Sequence, residues 1–227
     1  MAKRAAPKTS LGTLFFAAQF ADMLWPVLLL LGWERARIVG GQNPFLIFAF
    51  DSYPISHSLV TLIAWALLVG VLYRARTGYG TGAVVLGVCV LSHWVLDFVT
   101  HRPDLPIYPG GPPVGLGLWN SPAGTVVVEG LMYVAGVAIY LTTTRAPSGG
   151  GRYGLWALLA VLVLSYVAAL VSGPPPSVPA VALGGIVFGW LFVAWAARVD
   201  RRRDSAVGAA DPARAGGGAG PAGPAHP

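Results

Sequence analysis

Six stretches of this chain are each long and apolar enough to cross a lipid bilayer as a helix, and that constraint dictates most of what it can fold into. Spanning about 30 Å of hydrocarbon takes roughly 20 helical residues. The stretches run over 11–33, 56–73, 82–100, 123–142, 153–171 and 178–197. With no water in the bilayer core, every backbone N–H and C=O must find an internal partner, and a helix satisfies them all. The sequence therefore predicts an all-α, polytopic transmembrane bundle over 11–197, preceded by a basic segment over 1–10. Charged residues make up 11% of the chain, less than half of the ~25% usual in soluble domains. That excludes a water-soluble enzyme and a disordered chain. Nucleic acid is excluded as a partner because the cations sit in short clusters between apolar runs, with no base-reading motif.

With six spans, twelve of the fifteen Lys and Arg residues fall on one side, and only Arg35, Arg37 and Arg102 fall on the other. The positive-inside rule places the twelve, and with them both termini, in the cytoplasm. The first apolar run is too long for a signal-peptide core and is read as one continuous, retained helix. The short stretch 44–50 (PFLIFAF) cannot span and is read as an interfacial or re-entrant piece. Residues 198–227 turn to Arg, then to Ala, Gly and Pro, the composition of a disordered tail. Gly185 and Gly189, four apart in the last span, suit close helix packing. The lone Cys89 lies within an apolar run and can form no internal disulfide.

Ionisable groups inside spans are costly and tend to face the bundle interior or mark function. Asp22, His93, Asp97 and Glu129 lie within spans, and His57 at the start of the second. On this topology all but Asp22, which falls near mid-membrane, lie toward the outer face. His93 and Asp97, four residues apart, share one helix face. A His/Asp pair one turn apart offers two adjacent metal ligands, with a third expected from elsewhere. The plainer reading is a His–Asp hydrogen bond that pins neighbouring helices. His101 would extend the same face if the helix ran one turn further, although Pro103 ends it near Arg102. The plainer reading of Glu129 is a bond to Tyr133 or Asn120, and of Asp22 a bond to Gln19 or a neighbouring helix, while Asp51 and Asp104 read as solvated loop carboxylates. Ser56 stands beside His57, but neighbouring side chains on a helix point apart. The outer loop 101–122 holds six prolines and four glycines; no regular element is expected there, and a loop of this length suits a lid over the site.

At Tyr53-Pro54-Ile55-Ser56-His57-Ser58-Leu59 and Leu91-Ser92-His93-Trp94-Val95-Leu96-Asp97-Phe98-Val99-Thr100, the chain resembles the YdjM-like family of bacterial membrane-bound metal-dependent hydrolases. The resemblance implies a divalent metal site with His57, His93 and Asp97 as ligands. The family's acidic element ahead of the first His motif is absent here, a role open to Asp22 or Asp51.

Together these readings predict metal-assisted hydrolysis of an ester or phosphoester, lipid-borne because the site opens at the interface. Zinc is the first expectation for the metal, then manganese or iron. Glu129 would serve as fourth ligand or general base, Asp22 as auxiliary acid, and His101 and Arg102 as substrate contacts. The competing expectation is a small proton or metal-ion transporter that uses the same intramembrane groups as a relay. Besides the bilayer and a lipid or phosphoester substrate, a second copy of the chain is a compatible partner.

Overall fold

The computed structural model describes residues 1–206. Its helices are α1 (Ala2–Ala5), α2 (Leu11–Ala18), α3 (Phe20–Leu30), α4 (Pro54–His57), α5 (Leu59–Thr77), α6 (Gly80–Thr100), α7 (Pro122–Thr143), α8 (Gly149–Val171) and α9 (Val178–Asp200). Between them lie three two-stranded antiparallel ladders: β1 (Arg35–Ile38) with β2 (Phe48–Ser52), β3 (Leu105–Pro106) with β4 (Pro113–Val114), and β5 (Thr144–Arg145) with β6 (Asp204–Ser205). Helices α5 to α9 are each long and apolar enough to cross a membrane; α2 and α3 meet that standard only as a pair, bent by 57°. Large apolar side chains such as Leu67, Val84, Leu131, Leu164 and Val187 face outward on these helices, as a lipid-solvated surface requires.

The first apolar run is therefore two helices meeting at a bend rather than one continuous helix. The break falls at Gln19, where the backbone leaves helical geometry (φ −102°, ψ 15°). Its cause lies on α6, where His93 Nδ1 sits 3.0 Å from the carbonyl oxygen of Ala18, the last residue of α2. A side chain inserted into the helical hydrogen-bond ladder bends a helix.

Small residues set the helix spacing. The last turns of α9 pass so close to α2 that a Cβ on Gly12 would lie 2.5 Å from both the Ala197 Cβ and the Val193 carbonyl oxygen. Gly185 and Gly189 bring α9 onto α3, against Pro26 and Met23, which is the close packing their spacing predicted. Helices α5 and α6 form an antiparallel pair joined at Gly78, whose left-handed φ of 67° lets its N–H cap the Arg74 carbonyl. One buried core joins α2 and α3 to this pair through Leu14, Ala17, Ala21, Leu62, Ala66, Leu86 and Val90. A second gathers Tyr140, Leu155, Leu158, Ala196 and Val199 from α7, α8 and α9.

A polar knot ties the opposite end of the bundle from the α5 start and α6 end. Asp200 accepts hydrogen bonds from Lys3 Nζ (2.7 Å), the Leu11 backbone (3.0 Å) and the Tyr140 hydroxyl (2.8 Å). Arg203 then bonds Thr144, and β6 pairs with β5. Residues 198–206 thus belong to the folded body, a correction to the tail expected from composition. Ladder bonds and a buried carboxylate hold them despite their polarity. The remainder of that segment lies outside the described residues.

Two further expectations change. The stretch 44–50, expected as an interfacial or re-entrant piece, is a 3-10 turn at Pro44–Leu46 that leads into β2, which folds back on β1 as a hairpin. The loop 101–122 does form a ladder, β3–β4, short enough for prolines to sit at its edges.

Because Gly12 is a contact point of α2 and α9, Gly12→Ala forces the two helices apart. Overpacking of this kind costs about 1–3 kcal/mol; the expected result is a lower thermal midpoint of the detergent-solubilised protein with helicity retained by circular dichroism.

Candidate metal centre

Three helices deliver four ligand-type side chains to one point. Breaking the first span puts Asp22 in the first turn of α3. The one-turn helix α4 presents His57 immediately before α5 begins. His93 and Asp97 share a face of α6. The Asp22 Oδ1 lies 3.5 Å from His57 Nε2 and 3.7 Å from His93 Nε2. The Asp97 Oδ2 lies 3.2 Å from His93 Nε2 and 3.8 Å from His57 Nε2. Asp22, His57 and His93 form a possible metal-binding cluster, with Asp97 beside it.

Both imidazoles are fixed from behind. A carbonyl can only accept, so the contact with Ala18 leaves the proton on His93 Nδ1 and, in the neutral ring, a lone pair on Nε2. His57 Nδ1 lies 2.6 Å from Ser56 Oγ, and the Ser56 hydroxyl donates to Glu34 Oε2 at 2.5 Å. With its proton committed to Glu34, Ser56 Oγ accepts from His57 Nδ1, and His57 too points an Nε2 lone pair at the centre. The two side chains meet because α4 ends at His57 and Ser58 is already extended; the expectation that neighbours point apart holds only inside a longer helix.

Two nitrogen lone pairs and two carboxylate oxygens thus converge, and the Asp97 Oδ2 is buried with no hydrogen-bond partner. Only a shared positive charge, a proton or a metal cation, holds such a donor set together. For a tetrahedral ion at about 2.0–2.1 Å from each ligand, ligand atoms stand roughly 3.3–3.4 Å apart. The four N···O separations bracket that edge. His57 and His93 are buried, whereas the Asp22 side chain is 55% exposed, so the cluster opens on the Asp22 side. Elsewhere aromatic rings enclose it. Trp25 and Tyr53 pack against His57, with ring centroids at 6.4 and 5.2 Å, and Phe50 of β2 packs at a tilt against Trp25 and Tyr53.

The other expected site residues lie apart from this cluster. Helix α6 stops at Thr100, and His101 leaves its face in an extended conformation. His101 is buried beneath Trp119, its Nδ1 2.9 Å from Asp104 Oδ1, and the Tyr53 hydroxyl donates to the same carboxylate oxygen at 3.2 Å. Burial and this neighbouring carboxylate push the Tyr53 phenol far above its ordinary pKa, so it serves as a donor. Asp104 is thus no solvated loop acid. Arg102 follows His101 on the surface loop, and Gly115 lies against both their carbonyls, where a Cβ would clash at 2.3 and 2.4 Å. Glu129 accepts a 2.6 Å hydrogen bond from Tyr166 of α8, a partner not anticipated, and joins no cluster with the histidines among the described residues. Asp51 is paired with Arg37, whose guanidinium holds the carboxyl below its usual pKa. Of the two acids open to the family's missing role, Asp22 is the one at the cluster. Glu34 was not read as a site residue; the only signal was an acid at the end of an apolar run.

The YdjM inner membrane protein family matches residues 53–175. The chain belongs to this family. The matched region covers more than half of the 227 residues and contains His57, His93 and Asp97, whereas Asp22 and Glu34 precede it. No curated protein and no solved structure matches the chain. A YdjM-family chain with five apolar helices and a broken sixth span is an inner-membrane protein, which is as far as the family name reaches.

The His101–Asp104–Tyr53 network is separate from the cluster, and the two are distinguishable. Asp104→Ala leaves the buried Tyr53 hydroxyl and His101 Nδ1 short of a partner, at a cost of about 1–3 kcal/mol. The expected outcome is a lower thermal midpoint with unchanged metal content by mass spectrometry.

Proposed function

We propose that this protein is a membrane-embedded metal-dependent hydrolase of ester or phosphoester substrates. The observation that carries the reading is the orphaned, buried Asp97 Oδ2 facing the Nε2 lone pair of His93, among two carboxylates and two imidazoles whose other nitrogens are already committed. Asp22, His57, His93 and Asp97 are the residues that hold the ion. Their N2O2 character, without thiolate, suits zinc first and manganese or iron next. Such an ion supplies Lewis-acid polarisation of a substrate oxygen and acidifies water near neutral pH.

The protein's own groups supply the rest. Backbone and hydroxyl partners hold both imidazoles with Nε2 inward, and Trp25, Phe50 and Tyr53 keep water from that side. Asp22 is a ligand in this reading, and its exposed flank is where substrate and water arrive. The cluster lies where α5 begins and α6 ends, at the level of a headgroup, which favours a lipid-borne substrate; Arg102 is the cation for an anionic headgroup. With the basic ends in the cytoplasm, this face is the outer one. Glu129 is bonded to Tyr166 and has no part in the reading. Gathering Asp22 and Asp97 at one point, rather than at successive depths, also favours a site over a conducting path.

The test is metal content of the detergent-purified protein. Wild type is expected to carry about one equivalent, and His93→Ala and Asp97→Ala none. Chelation should lower the thermal midpoint of wild type but not of His93→Ala, because an ion that binds only the folded state adds stability. Absence of metal from wild type after reconstitution with zinc, manganese and iron in turn would overturn the proposal.

A further inference from the structure

Glu34 is a buried carboxylate, 1% exposed, with no Lys, Arg or His partner among the described residues. A buried unpaired charge is expensive unless it is fully hydrogen-bonded. Here Oε1 accepts from the Ile55 and Ser56 backbone N–H groups at 2.7 and 2.8 Å, and Oε2 accepts from the Ser56 hydroxyl at 2.5 Å. The backbone bonds satisfy the first turn of α4, a task a neutral oxygen performs equally well. The third bond has a consequence that only an acceptor can produce. It orients the Ser56 proton away from His57, so that Ser56 Oγ accepts from Nδ1 and the Nε2 lone pair faces the cluster.

We infer that Glu34 is a positioning residue for the metal centre, acting through Ser56 to hold His57 in its ligand-competent tautomer. The inference rests on the metal reading above. His93 has the equivalent support from the Ala18 carbonyl, so each ligating ring is oriented by an acceptor behind it. Partners of this kind govern metal affinity by about 10–100-fold.

Glu34→Gln tests the direction of the relay. The glutamine carbonyl can still accept from Ile55 and Ser56, but its NH2 replaces Oε2 as a donor toward Ser56 Oγ. The buried hydroxyl proton, having lost Oε2, then has His57 Nδ1 as its remaining acceptor, and donating there moves the ring proton to Nε2, where it blocks ligation. The measurement is zinc affinity of the full-length protein in detergent, by chelator competition, with folding monitored by thermal midpoint. Glu34→Gln and Ser56→Ala are each expected to weaken zinc binding by about 10–100-fold, and His57→Ala to weaken it at least as much. The double variant Glu34→Gln/Ser56→Ala should bind as Ser56→Ala alone does, because without the hydroxyl there is no relay to reverse. Wild-type affinity in Glu34→Gln, or in Ser56→Ala should the glutamine variant not fold, overturns the inference. A further loss in the double variant also overturns it, since Glu34 would then be acting through packing. Either result, with zinc binding present in wild type and lost in His93→Ala, leaves the metal reading standing; a wild type that binds none of zinc, manganese and iron overturns both.

Discussion

One hydrogen bond, from His93 Nδ1 to the Ala18 carbonyl, organises the centre of this protein. In lipid a backbone carbonyl without a partner costs several kcal/mol, so a span cannot be interrupted unless something compensates the interruption. His93 does so, and three features follow together. The span bends by 57°. Asp22, which a straight helix would carry to another azimuth, begins the new segment and points at the imidazoles. The same bond fixes which nitrogen of His93 is protonated, leaving the other for the cluster.

Around that bond the elements between spans form a cover. The β1–β2 hairpin brings Phe48 and Phe50 to Trp25, and Phe50 also touches His101. The loop 101–122 returns beneath it: the Ile107 carbonyl accepts from Val60, Leu116 N–H donates to Phe98, and Asn43 of the hairpin turn donates to the Trp119 carbonyl. Polar chemistry sits in two compartments under this cover, the His–Asp cluster and the Tyr53–His101–Asp104 network, with Tyr53 packed against both His57 and His101.

The spans were legible because lipid leaves a chain few alternatives: five of the six helices match the apolar runs to within a few residues. The clustering of His93 and Asp97 was legible for a different reason, that an ionised group in a span needs a partner and the two are one turn apart. What escaped the sequence depends on partners distant in the chain. Nothing local marks Gln19 as a breakpoint, because the cause is a histidine 74 residues away. Glu34 reads as a loop acid until α4 places two N–H groups and a hydroxyl on it. His101 seemed to continue the Asp97 face, yet Asp104 and Trp119 draw it into another network. Asp200, at the junction with a polar segment, gave no hint that Lys3 would be its counter-ion.

The order of the helices along the chain bears on how the protein is made. Helices α2 and α3 pack chiefly on α9, the most distant of the described long helices along the chain, and Asp200 at the end of α9 fastens to Lys3 and Leu11. Helix α3, which carries Asp22, therefore meets its main packing partner only after α5 to α8 have been made. Helices α4 to α6 can form early and carry His57, His93 and Asp97, whereas Asp22 sits on α3, which packs mainly on α9. A chain halted before α9 would therefore present Asp22 on a helix that lacks its main packing partner.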